Sequence, residues 1–98
     1  MLTLTIEKKW YDMILSGEKK EEYRAMTKYY ESRFKNLWRG SLIGGEAERK
    51  IALRNGYLST SPTMIVTVTL DIGPGRSEWG AEPGKEYYRL HIKKKEQI

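Results

Sequence analysis

The sequence predicts an α+β domain: a small mixed or antiparallel β-barrel of about five strands, with two helices packed outside it. Three observations predict this. Apolar residues alternate at period two in several short segments, most clearly at Met64, Val66, Val68, Leu70 and Ile72. Helical apolar spacing is confined to two early segments, Ile6, Trp10, Met13 and Ile14, then Tyr30, Phe34, Leu37 and Trp38. Strands this short leave unpaired edges, and closing the sheet removes them. The chain has 98 residues, enough for one such domain and not two, so 1–98 is read as a single unit.

The elements follow in order. Leu2, Leu4 and Ile6 share one face of a first strand. Glu7–Ser16 is the first helix, and Gly17 sits where a C-cap glycine belongs. Lys19–Ala25 is a polar strand. Thr27 is the expected N-cap of the second helix and Gly40 its end. Ser41–Glu48 is a polar, glycine-containing loop. Arg49–Arg54 alternates around Ile51 and Leu53, and Asn55-Gly56 is a strong turn signal between Arg54 and Tyr57. Thr63–Ile72 is the central strand, broken by Gly73-Pro74-Gly75. After a loop over Arg76–Lys85, a last strand runs from Glu86 to about Lys93. It places Tyr88, Leu90 and Ile92 on one face and Tyr87, Arg89 and His91 on the other. The tail 93–98 is expected to fray.

Composition bounds the chemistry. Hydrophobic residues make up 39% and charged residues 32%, of both signs and interspersed, which suits a folded chain rather than a disordered tail. No apolar run approaches the roughly 20 residues that cross a bilayer, so no membrane partner is expected. The first residues lack the basic lead and apolar stretch of a secretory leader. Cysteine is absent, which excludes disulfides and thiol catalysis and fits a cytoplasmic location. With one histidine, His91, zinc is disfavoured, and a hard cation held by carboxylates is the remaining metal option. The net charge of +5 suits an anionic partner such as RNA or a nucleotide.

The octet Gly17-Glu18-Lys19-Lys20-Glu21-Glu22-Tyr23-Arg24 stands out. Alternation puts Lys20, Glu22 and Arg24 on one strand face and Lys19, Glu21 and Tyr23 on the other, so neither face is apolar. A strand of a small domain normally turns one face to the core. These charges therefore sit on a solvated edge or line a polar cleft. Lys19 has the wrong parity to join Glu22 and Arg24 unless it lies in the turn before regular pairing starts, where its side chain can swing into the cleft.

Gly17, Lys19, Glu22 and Arg24 also fit Gly-x-Lys-x-x-Glu-x-Arg, the pattern by which the chain resembles the ASCH family, relatives of the PUA RNA-binding fold. The order strand, helix, glycine, signature strand, second helix, then strands matches over nearly the whole chain. The resemblance implies a PUA-like barrel whose cleft is lined by the signature residues and binds RNA or a nucleotide. Some members look like amidohydrolases acting on acylated cytidines with a lysine, a threonine and a glutamate; others are described as ribonucleases. Lys19 matches the amidohydrolase lysine, but Glu22 stands where that pattern has its threonine, and Glu78 and Glu82 are the candidates for the acidic residue.

Two functional readings follow. In a binding module, Lys19, Arg24 and Arg54 meet phosphate, and Glu22 orients Arg24 or accepts from a base amine. Asn55 and Tyr57 supply a second wall, with Tyr57 stacking on a base. In a hydrolase, Lys19 activates the nucleophile and Glu22 shuttles a proton. No cofactor is expected in either, apart from a divalent cation in a ribonuclease. Trp79, in a polar loop, is a lid or stacking platform over the cleft, or a plug at the barrel end. Trp10, Phe34, Leu37 and Trp38 are read as core, and His91 as an outward residue without a catalytic partner nearby. The mixed charges suit a protein partner as well as RNA.

Overall fold

Met64, Val66, Val68 and Leu70 are all buried, and the strand that carries them is the spine of the molecule. The structure is a computed structural model that describes residues 1–39 and 47–97. Its elements are β1 (Thr3–Thr5), α1 (Lys8–Ser16), β2 (Glu21–Arg24), α2 (Lys28–Leu37), β3 (Arg49–Arg54), β4 (Thr63–Pro74), a 3₁₀ turn (Ser77–Trp79) and β5 (Glu86–Gln97). The strands form one mixed sheet in the order β1-β3-β4-β5-β2, curled into a half-barrel. β1 runs parallel to β3, and the other neighbours are antiparallel.

The closure expected of the open edges is not made by a backbone ladder. β1 and β2 end the sheet order on opposite sides. The Arg24 guanidinium of β2 spans the gap and donates from Nη2 to the Thr5 carbonyl of β1 at 3.0 Å. A side chain thus bridges the two edges where a hydrogen-bonded strand pair would have sealed them.

Both helices form where the apolar spacing predicts. Glu7 proves to be the N-cap of α1 rather than its first residue. Gly17 closes it in the left-handed conformation (φ 87°), which glycine adopts without a Cβ penalty, and its N–H donates to the Ile14 carbonyl at 3.0 Å. Thr27 caps α2 by accepting from the Tyr30 N–H. The core gathers Phe34, Ile14, Ile51, Leu53 and Leu90 around β4. Phe34 stacks on Tyr30 and meets Trp38 and Tyr88 edge-on. The expected helix end at Gly40 and the loop over residues 41–46 lie outside the described residues.

Three boundaries differ from expectation. β4 continues through Gly73 and Pro74, which pair with Tyr87 and Glu86. Proline tolerates this because it stands at the strand's end, where a missing donor breaks no interior ladder. Residues 93–97 do not fray: a register shift between Thr67 and Val68 lets β5 go on pairing, so Lys94, Lys95, Glu96 and Gln97 lie opposite Thr67, Val66, Ile65 and Met64. Asn55-Gly56 does not make a two-residue hairpin. It opens a longer excursion over residues 55–62, closed by the Asn55 N–H on the Pro62 carbonyl at 2.9 Å. Among the described residues, no helix is long and apolar enough to cross a membrane.

Candidate functional site

The site begins with how α1 hands the chain to β2. Beyond Gly17, the Lys19 N–H donates to the Met13 carbonyl at 2.9 Å, which pins Lys19 against the last turn of α1. Lys19 therefore precedes β2, which starts at Glu21, and escapes the strand's alternation. Its side chain turns inward and is 2% exposed. Nζ donates to the Trp79 carbonyl at 2.7 Å and pairs with Glu22 Oε1 at 2.8 Å. It also lies 4.5 Å from the centroid of the Trp10 ring and 5.5 Å from that of Tyr23.

Glu22 is 5% exposed, and its other oxygen, Oε2, accepts from Arg24 Nη2 at 2.7 Å. Arg24 donates from Nη1 to the Tyr30 hydroxyl at 3.2 Å. Burial of the guanidinium works against its charge. The Glu22 carboxylate and the Tyr30 hydroxyl outweigh that and raise Arg24 above its usual value. The three side chains form a buried chain of cation, anion and cation with one net positive charge. Among the described residues, Arg24 Nε and one Nη1 hydrogen have no acceptor. Buried ion pairs lose about as much in desolvation as they gain in attraction. Stability alone therefore gives no reason to bury three charges together.

A hollow of about 330 Å³ opens over this chain, in the gap between β1 and β2. Lys19, Glu22 and Arg24 line it together with Trp10, Tyr23, Tyr30, Trp79 and Tyr87. Its size falls at the lower end for small-ligand sites, and its aromatic walls with few polar groups fit their usual make-up. The polar strand of the sequence thus faces a concavity. Trp79 lines the rim and is 8% exposed, and its backbone carbonyl anchors Lys19. Gly80 follows at φ 102°, with the Trp10 ring so near that a Cβ would stand 3.1 Å from Cζ2. That close approach lets the 75–85 loop fold over α1.

A second hollow of about 510 Å³ adjoins the first and shares Thr5, Ile6, Glu7, Arg24 and Tyr30 with it. Asn55, Gly56 and Tyr57 line it, as the second-wall reading requires. Arg54 does not. Its Nε is tied to the Thr63 hydroxyl at 3.3 Å beside the β3–β4 pairing, and it lines neither hollow. Glu78 and Glu82 stay outside as well, paired at the surface with Arg76 and Lys85. The carboxylate that does line both hollows is Glu7. Sequence reasoning missed Glu7, Trp10, Tyr23, Tyr29, Tyr30 and Tyr87 as cleft residues. The only signal was the richness in tyrosine, since helical spacing accounts equally well for Trp10 and Tyr30 as core. Among the described residues, no three His, Asp or Glu side chains gather as a metal-ligand set.

The outer sheet face carries a separate network, so His91 is not without acidic neighbours. It lies 2.8 Å from Asp71 Oδ1 and 3.6 Å from Glu21 Oε2. Asp71 also accepts a fork from Arg89, at 2.8 and 2.7 Å. Hydrogen bonds from Arg89 and then His91 outweigh partial burial and hold the Asp71 carboxyl below the usual aspartate range. Tyr23 joins the two faces. Its ring lines the hollow, while its hydroxyl donates to Glu21 and accepts from the Arg76 N–H.

Burial, assisted by Glu21 and opposed by the Arg76 N–H, pushes the Tyr23 phenol up to about 12. The folded state therefore holds this proton more tightly than the unfolded chain. The stability involved is complete below pH of about 10 and drains away as pH rises toward about 12. Tyr23→Phe should flatten that part of the alkaline stability profile in urea unfolding. In the wild type, two phenolates of the seven tyrosines should appear late in an absorbance titration, Tyr23 and Tyr88, the second also raised by burial and then by Glu31.

Comparison with family models, with curated proteins and with solved structures returned no match.

Proposed function

We propose that the cleft between β1 and β2 binds a nucleotide unit, either as part of RNA or free. One observation carries this reading: Lys19, Glu22 and Arg24, a trio with one net positive charge, converge on a single aromatic-walled hollow that Glu7 also lines. Arg24 keeps one Nη1 hydrogen without an acceptor among the described residues and meets phosphate through it at the junction of the two hollows. Glu22 holds both cations in place. The flat walls offered by Tyr30, Tyr87 and Trp10 suit a base. The resemblance of the Gly17–Arg24 octet to the ASCH signature points the same way.

A further basic hollow, lined by Lys20, Lys93, Lys94 and Lys95, adds attraction for a polyanion. Trp10 and Trp79 line the cleft, so their fluorescence should report binding of RNA oligonucleotides. Affinity should fall as salt rises, with a slope of about −0.7 per neutralised phosphate for a single strand. Arg24→Lys keeps the charge but cannot hold Thr5, Glu22 and Tyr30 and still reach a phosphate, and should weaken binding about tenfold. A flat salt response together with an unaffected Arg24→Lys variant would refute the reading.

A hydrolytic reading has one observation in its favour, the 2.8 Å approach of Lys19 to Glu22 at the cleft floor. It is the weaker of the two. The Lys19 ammonium already donates to Trp79 and Glu22 and faces the Trp10 ring, which leaves no hydrogen directed at a substrate. Incubation with an acylated cytidine and with RNA, with and without a divalent cation, tests it. Turnover that is abolished in Lys19→Ala would overturn our preference for simple binding.

A further inference from the structure

We infer that the larger hollow is a second base-binding subsite, centred on Tyr57, and that the ligand is single-stranded RNA of two or more nucleotides rather than a free nucleotide. This rests on the nucleotide reading of the first hollow and goes beyond it. The two hollows adjoin and share Thr5, Ile6, Glu7, Arg24 and Tyr30, so a strand that occupied both would pass over the Arg24–Thr5 bridge. Arg24 stands at their junction, where the phosphate between two successive bases would lie.

The far wall carries aromatic surface that the fold does not use. Tyr57 is 89% exposed, and its neighbour Leu58 is also exposed. They do not stand out on a loose tip. The Leu58 N–H donates to the Ser61 hydroxyl, the Ser61 N–H donates back to the Leu58 carbonyl, and Asn55 closes the loop on Pro62. Gly56, at φ 131°, lies so near Ser61 that a Cβ would meet its Oγ at 2.4 Å. The loop thus holds Tyr57 out on a fixed backbone. Across the hollow, Tyr29 is 56% exposed, with the Arg33 guanidinium 3.5 Å above its ring. An exposed ring held in place beside a junction that carries the Arg24 guanidinium suits sequence-tolerant stacking on single strands. A single anion would have no use for it.

The test compares adenosine and uridine monophosphates with oligoadenylate and oligouridylate hexamers, on wild type, Tyr57→Ala and Tyr57→Phe. Tyr57 is solvent-exposed, so neither substitution threatens folding. The hexamers should bind wild type about tenfold or more tighter than the monophosphates, and Tyr57→Ala should abolish most of that gain. Tyr57→Phe keeps the ring and should keep the gain. Monophosphate affinity should change far less than hexamer affinity in Tyr57→Ala, since a monophosphate can occupy the first hollow alone. Hexamers that bind no tighter than monophosphates would overturn the second subsite and leave the first intact. So would a Tyr57→Ala effect equal on both ligands. Failure of both ligands to bind wild type would remove the nucleotide reading and this inference with it.

Discussion

Glu22→Ala should destabilise the protein by about 3–5 kcal/mol, because it strands two buried cations at once. Lys19 and Arg24 both pair with this one carboxylate, at 2.8 and 2.7 Å. Water cannot replace it without opening the floor of the cleft. For a domain of this size each kcal/mol is worth about 4–8 °C, so the melting temperature should drop by more than about 12 °C. The exposed Lys8–Asp12 pair on α1 is equally short, at 2.6 Å, and serves as the control. Lys8→Ala should cost no more than about 1 kcal/mol, since exposed pairs are solvated whether joined or apart. Replacing the whole ionic chain, as Lys19→Met, Glu22→Leu and Arg24→Met together, should restore most of the stability while abolishing RNA binding. That combination separates what the charges do for the fold from what they do for a ligand. A Glu22→Ala protein that melted within about 2 °C of wild type would show that the carboxylate is not buried between its partners as described.

Phe34→Ala should cost about 3–5 kcal/mol, the usual loss for emptying a fully buried aromatic site. Phe34 has no exposed surface and sits between α2 and the sheet, against Trp38 and Tyr88. It also stacks on Tyr30, whose hydroxyl accepts from Arg24. The cavity should therefore be felt in the cleft. Phe34→Leu, which keeps most of the volume, should cost less than about 1.5 kcal/mol in urea unfolding. It should nevertheless weaken oligonucleotide binding by loosening Tyr30. An Ala variant as stable as wild type would mean that α2 does not pack through this residue. Stability of small domains is about 5–15 kcal/mol, so the Glu22 and Phe34 substitutions combined should leave little folded protein.

The site was legible in the sequence where its chemistry is local. The octet's lack of an apolar face left a solvated edge or a polar cleft, and the structure has Lys19, Glu22 and Arg24 line one hollow. The odd parity of Lys19 was legible too, since the Gly17 cap places it before regular pairing starts. Arg54 was misjudged because a turn signal says nothing about where a neighbouring side chain finds its partner, here the Thr63 hydroxyl across the β3–β4 pair. The tail 93–97 was misjudged for a similar reason. A lysine run has low strand propensity, yet the bulge at Thr67/Val68 offers it a partner along β4.

Sequence by itself determined the period of each element, the caps at Gly17 and Thr27 and the charges of the cleft strand. Each depends on residues within a few positions of one another. Tertiary structure alone decided that β1 and β2 meet at an unsealed seam, with Arg24 as the bridge and tyrosines from β2, α2 and β5 as the walls. Those contacts join residues far apart in the chain. Their geometry comes from the curl of the whole sheet, which no local pattern encodes.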